Sequence, residues 1–156
     1  GYIALFRGDF DLAEARATES LTGCAAVPQR FSVHGALWTL ATVALHRGED
    51  GLAEERFRRL LAAGRVGDDV ISIVNGLSGL ALLADRRGDV RAALRGFAEA
   101  ASVAWHAAGD RLHASLCFER AAVGLVRVGR HEPAVRLFAT AEGFHLSAAG
   151  EAPERR

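Results

Sequence analysis

The sequence predicts an all-α protein, a right-handed α-α superhelix of about four helical hairpins. Three observations predict it. A glycine recurs as Gly8, Gly48, Gly88 and Gly129, spaced 40, 40 and 41 residues apart. Five residues after each stands an alanine, Ala13, Ala53, Ala93 or Ala134; four residues on come Phe57, Phe97 and Phe138, with Ala17 in the first copy. Before the glycines, Leu37, Leu40, Ala41 and Ala44 fall at i, i+3, i+4 and i+7, as do Leu77, Leu80, Ala81 and Ala84, then Phe118, Ala121, Ala122 and Leu125. That spacing draws one stripe along a helix.

In each copy a helix A runs into the glycine and a helix B leaves it. Glycine accepts the left-handed conformation that ends helix A, and Asp or Glu follows it in three copies, favouring the start of helix B. In chain order, residues 1–7 read as the end of a first A helix and 10–22 as its B helix. Pro28 marks the second A helix at 29–47, and its B helix at 50–63 carries Ala53, Phe57 and Leu60 on one face. Asp68-Asp69 opens the third A helix at 69–87, followed by a B helix at 90–108 with Ala93, Phe97 and Ala100. Asp110 opens the fourth at 110–128. Pro133 sits in the first turn of the last B helix, 132–148, where a missing amide hydrogen costs little. The single repeat domain, 1–150, therefore divides into 1–28, 29–68, 69–109 and 110–150, and 151–156 is expected to fray.

A lone hairpin cannot bury its stripe, so neighbours must stack. Half of the 156 residues are hydrophobic and 24% charged, the balance of a chain with a core of its own. Lys+Arg and Asp+Glu number 19 each, so no net field draws the chain to nucleic acid or an anionic membrane. No apolar run approaches a bilayer span, and Gly1 to Arg7 carries no signal-peptide pattern. Cys24 and Cys117, neither clustered nor closely spaced, read as reduced intracellular thiols, and the expected location is cytoplasmic. The chain contains no methionine and opens partway through a helix, which leads us to expect a piece of a longer protein.

No residue set reads as catalytic, and neither a metal nor a cofactor is expected. Six histidines are scattered, with no H-E-x-x-H and no Cys-His ligand set. His113 and Cys117 share a helix face at i, i+4, but two ligands do not close a zinc site; a partly buried thiol beside a solvated imidazole is the simpler expectation. Glu54-Glu55 and Asp68-Asp69 are adjacent, so on a helix they do not face each other, and they read as solvated faces or helix starts. Gly76-Leu77-Ser78-Gly79 has the look of a serine turn yet lies within an apolar helix period.

These marks resemble the tetratricopeptide repeat, whose pattern places a bulky residue, Leu-Gly or Leu-Ala, a turn Gly, Ala, a large aromatic and another Ala. Leu77, Leu80-Ala81, Gly88, Ala93, Phe97 and Ala100 follow it most closely; Leu37, Leu40-Ala41, Gly48, Ala53, Phe57 and Leu60 do so in the second copy. The fourth departs with Ala121-Ala122, and the first lacks half of its A helix. The period exceeds the usual 34 residues. Long repeats rich in Ala, Arg and Gly are similar to the helical region of large bacterial regulators of the LuxR type and related signalling ATPases, as is the closing run Pro133 to Glu142. That resemblance implies a sensor or assembly module. The nucleotide-binding and helix-turn-helix domains of such proteins have no counterpart here, since there is no G-x-x-x-x-G-K-[ST] run and no basic recognition helix.

The resemblance also implies a groove lined by A-helix positions ten, six, three and two before the turn glycine. These are Trp38, Thr42, Leu45 and His46, then Ser78, Leu82, Asp85 and Arg86, then Glu119, Val123, Val126 and Arg127. Tyr2, Leu5 and Phe6 extend the row, and Asn75, one turn before Ser78, is an amide suited to a peptide backbone. The row mixes apolar anchors with polar groups, as an interaction surface does, although Trp38 and Phe6 could equally pack between hairpins. A chaperone-tail clamp is not expected: no lysine occupies those positions, and Trp38, Thr42 and Leu82 stand where donors would be wanted. The expected function is therefore protein–protein interaction or effector sensing by a peptide or partner in the groove, with no direct nucleic-acid or membrane contact. The rivals are a spacer or self-association module, suggested by Val135, Phe138 and Phe144, and a regulatory region beside a cyclase or kinase.

Overall fold

The computed structural model describes residues 1–23 and 30–148. Among them are eight helices and no strand: α1 (Tyr2–Phe6), α2 (Phe10–Gly23), α3 (Arg30–Arg47), α4 (Asp50–Gly67), α5 (Val70–Arg86), α6 (Val90–Ala108), α7 (Arg111–Arg127) and α8 (His131–Ala148). The expected helix start at Pro28, the Cys24 thiol and the tail from Gly150 lie outside the described residues. No described helix is long and apolar enough to cross a membrane.

Four turns are built alike. Gly8, Gly48, Gly88 and Gly129 take φ of 75, 78, 79 and 72°. The amide after each glycine reaches a carbonyl five residues back, Asp9 to Ala4, Glu49 to Ala44, Asp89 to Ala84 and Arg130 to Leu125, at 2.9 to 3.0 Å. Each glycine amide meanwhile bonds three residues back. Together these bonds satisfy carbonyls that a helix end otherwise leaves open. Aspartates then start the next helix: Asp9, Asp89 and Asp110 accept from the amides of Leu12, Ala92 and His113 at 3.1, 2.9 and 3.0 Å.

One boundary differs from the sequence expectation. Helix α4 runs on to Gly67 rather than stopping near residue 63. Gly64, which looks like a helix stop, is buried inside the helix, where a Cβ would stand 2.9 Å from that of Ser72. Its missing side chain admits α5, and the helix ends only at Asp68, in the left-handed region at φ 50°. Gly76 acts in the same way from the other side, since a Cβ there would lie 2.7 Å from that of Leu61. A Cβ on Gly79 would stand only 2.3 Å from Cε1 of the Phe57 ring. Glycine costs some helix stability, and here the close approach of α4 to α5 is the return.

Each helix packs on the next in sequence. The odd-numbered helices also pack closely on one another, α1 with α3, α3 with α5 and α5 with α7, whereas the even-numbered ones meet through the long side chains of Arg56 with Glu14 and Arg65 with Glu99. The core is a row of seams rather than one centre. Ala4, Leu5, Ala13 and Val43 form one; Leu37, Ala41, Ala53, Phe57, Leu60 and Leu83 another; Leu77, Ala81, Ala93, Phe97, Ala100 and Cys117 belong to a third.

Ion pairs join the copies at matched positions. Arg47, one residue before its turn glycine, pairs with Glu14 of α2, and Arg87, in the same place one copy on, pairs with Glu54 of α4. Glu54 also meets Arg58, so it is not the solvated side chain that its sequence position suggests. The corresponding positions of the third junction, Val128 and Leu94, are apolar. The hydrogen bond from Arg47 holds the Glu14 carboxyl below its usual range, and that from Arg87 does so for Glu54, in both cases against burial. A lowered folded-state pKa contributes stability that is complete above the unfolded value, about 4.3, and lost as pH falls through the folded value. Glu54→Gln is therefore expected to melt below the parent at about pH 7, with the gap closing as pH falls towards about 3. Thermal unfolding across that range checks this, and a gap independent of pH would contradict it.

Candidate functional site

A cleft of about 860 Å³ opens on the face of the odd-numbered helices. Tyr2 and Phe6 of α1 and Trp38, Thr42, Leu45 and His46 of α3 line one side. Along α5 it meets Ile71, Val74, Asn75, Ser78, Gly79, Leu82, Asp85 and Arg86. On α7 it meets His113, Leu116, Cys117 and Arg120, and the rings of Phe57 and Phe97 reach its floor from the seams below. Such a volume, mostly apolar with a few polar groups, lies in the range of ligand sites.

Of the residues singled out from the sequence, Tyr2, Phe6, Trp38, Thr42, His46, Asn75, Ser78, Leu82, Asp85 and Arg86 line this one cleft. Leu5 is instead buried in the first seam. Arg127 does not line the cleft, but its Nη1 donates to Asp85, which does, at 2.6 Å. Glu119, Val123 and Val126 do not line it. The cleft uses the C-terminal half of α3, all of α5 and the N-terminal half of α7, so it crosses the helices obliquely. Carrying α3 and α5 positions unchanged onto α7 therefore overshoots by about two turns. A signal was present: His113, Leu116, Cys117 and Arg120 fall at i, i+3, i+4 and i+7.

The aromatic end is ordered by stacking. The rings of Tyr2 and Trp38 lie 5.2 Å apart, and His46 stacks on Phe10 at 5.1 Å. Burial, and then the charge of Asp69, push the Tyr2 hydroxyl up, so it stays a neutral phenol. The hydroxyls of Thr42 and Ser78 donate to the carbonyls of Trp38 and Asn75 at 2.8 and 3.3 Å, within their own helices.

Most of the charge is committed in pairs. Arg86 donates to the Leu45 carbonyl at 2.6 Å and lies 3.1 Å from the Asp50 carboxylate, and Asp85 holds Arg127. His113 is half-buried rather than solvated, with Nδ1 2.6 Å from the Asp110 carboxylate. Cys117 is buried, which pushes its thiol up to about 11. Arg120 makes no ion pair among the described residues.

Ser72, Asp69 and His34 form a buried cluster, but the serine hydroxyl donates to the Asp69 carboxylate at 2.7 Å, and that carboxylate also meets His34. With the carboxylate in the middle, the imidazole has no contact through which to take the serine proton. Burial pushes the Asp69 carboxyl up, and the bonds from Ser72 and His34 outweigh it and hold it low. Among the described residues no group of three His, Cys, Asp or Glu could hold a metal ion. No protein-family model matches the chain, and no curated protein matches it.

Proposed function

We propose that the chain is a right-handed, tetratricopeptide-like stack of hairpins serving as a non-catalytic recognition module, with a partner segment or effector held in the cleft. The observation that carries this is the cleft, where side chains from four odd-numbered helices converge on one concave, largely apolar surface. Two features support the stacking. The turn geometry recurs at four positions about forty residues apart, and the Arg47–Glu14 and Arg87–Glu54 pairs sit at matched places. The closer backbone approach among the odd-numbered helices favours a curve with those helices inside.

An occupant touching α3, α5 and α7 together would favour one curvature over another and so bias whatever the stack is joined to. Membership of a larger cytoplasmic bacterial regulator of the LuxR type belongs to the same proposal and rests on the resemblance in the sequence. Ligand-observed NMR with a mixed set of short peptides and apolar fragments tests the site. Compounds that bind are expected to lose at least about tenfold in affinity to Leu82→Glu and little to Val135→Glu on α8. Undiminished binding to Leu82→Glu would count against the cleft.

A second reading, self-association, is favoured by one surface. Phe138 is 41% exposed, whereas its counterparts Phe57 and Phe97 are 2% and 3% exposed, and Val135 beside it is 65% exposed. Association through this face predicts a sedimentation coefficient that rises with concentration and flattens in Phe138→Glu; a strict monomer at every concentration removes it.

A further inference from the structure

We propose that the occupant of the cleft is a small amphipathic carboxylic acid, with its anionic group on Arg120 and its apolar body across α5 towards Trp38. This rests on the cleft being the recognition site and names the chemistry that it selects.

The first support is charge. Among the cationic side chains of the lining, Arg86 is engaged with Asp50 and the Leu45 carbonyl, and His113 with Asp110. Asp85, the one carboxylate of the lining, holds Arg127. His46 stacks on Phe10, which leaves Arg120, an exposed guanidinium on α7, as the lining cation with no ion pair or ring partner among the described residues. Its neighbour Cys117 does not neutralise it, because the buried thiol keeps its proton at neutral pH. A guanidinium presents a planar fork that fits a carboxylate in two parallel hydrogen bonds.

The second support is what surrounds that charge. Leu116 and Cys117 share its helix, and Val74, Leu82 and the Phe97 ring extend the surface away from it. A compact hydrophilic anion such as inorganic phosphate would leave this apolar surface uncovered, whereas an alkyl or aryl chain ending in a carboxylate covers it.

The third support separates a small acid from a peptide. Along the α5 floor from Ile71 to Leu82, Asn75 alone offers an N–H not already committed among the described residues. An extended peptide would bring several backbone carbonyls onto that floor, and each left without a donor weakens binding. A chain with one polar end has no such demand, and the Asn75 amide accommodates one further polar substituent along its length.

Calorimetry with decanoate, decanol and decyltrimethylammonium, all below micellar concentrations, tests the proposal, with an N-acetylated apolar hexapeptide amide beside them. Decanoate is expected to bind at least about tenfold more tightly than decanol, and the cation least. Arg120→Ala should bring decanoate down to the level of decanol, while Arg120→Lys should restore part of the difference. Leu82→Glu should weaken both. Equal binding of decanoate and decanol, a gap unchanged in Arg120→Ala, or tighter binding of the hexapeptide would each overturn the acid. If decanol then still responded to Leu82→Glu, the cleft would stand as a site for a different occupant; if neither tail responded, the cleft itself would fall.

Discussion

Phe57 of α4 lies against the backbone of Gly79 in α5, where any side chain would intrude into its ring. Phe57 is 2% exposed, and both residues reach the floor of the cleft. The contact therefore has two effects. It draws α5 onto α4, helped by Gly64 and Gly76, and it sets how deep the floor lies beneath Asn75, Ser78 and Leu82. A bulkier residue at position 79 would lift α5, close part of the cleft and strain the seam.

The seams also explain how the copies hold together without one central core. Phe57 and Phe97 are each buried where the following helix packs on their own, so stability is distributed along the chain. The matched ion pairs add position more than strength: Arg47 and Arg87 lie partly exposed, where such pairs contribute little energy but discourage slippage. At the third junction Leu94 and Val128 stand where the other junctions have that pair, and Arg127 of α7 pairs instead with Asp85 of α5 beside the apolar contacts. The cleft crosses that junction between α5 and α7, with Asp85 of the lining as one member of the pair.

Much of this was legible in the sequence because it depends on local chemistry. The turn glycines, the capping aspartates and the Ala–Phe spacing announce eight helices and their order, and they do so within about one turn of each boundary except the end of α4. What was not legible depends on how helices cross. Gly64 reads as a stop because its contact with Ser72 comes from another helix. Carrying one register onto every helix points to Glu119, Val123 and Arg127, whereas the oblique cleft is lined by His113, Leu116 and Arg120. The isolation of Arg120 required knowing which acids its neighbours had taken, and residue spacing cannot supply that.

The fit between Phe57 and Gly79 sets how α5 lies on α4, and a double-mutant cycle measures it. Gly79→Ala is expected to cost about 1–3 kcal/mol of unfolding free energy in the parent protein. In a Phe57→Leu background, where the ring is gone, it should cost at least about 1 kcal/mol less. Costs that simply add, to within about 0.5 kcal/mol, would show that the two residues do not meet as described.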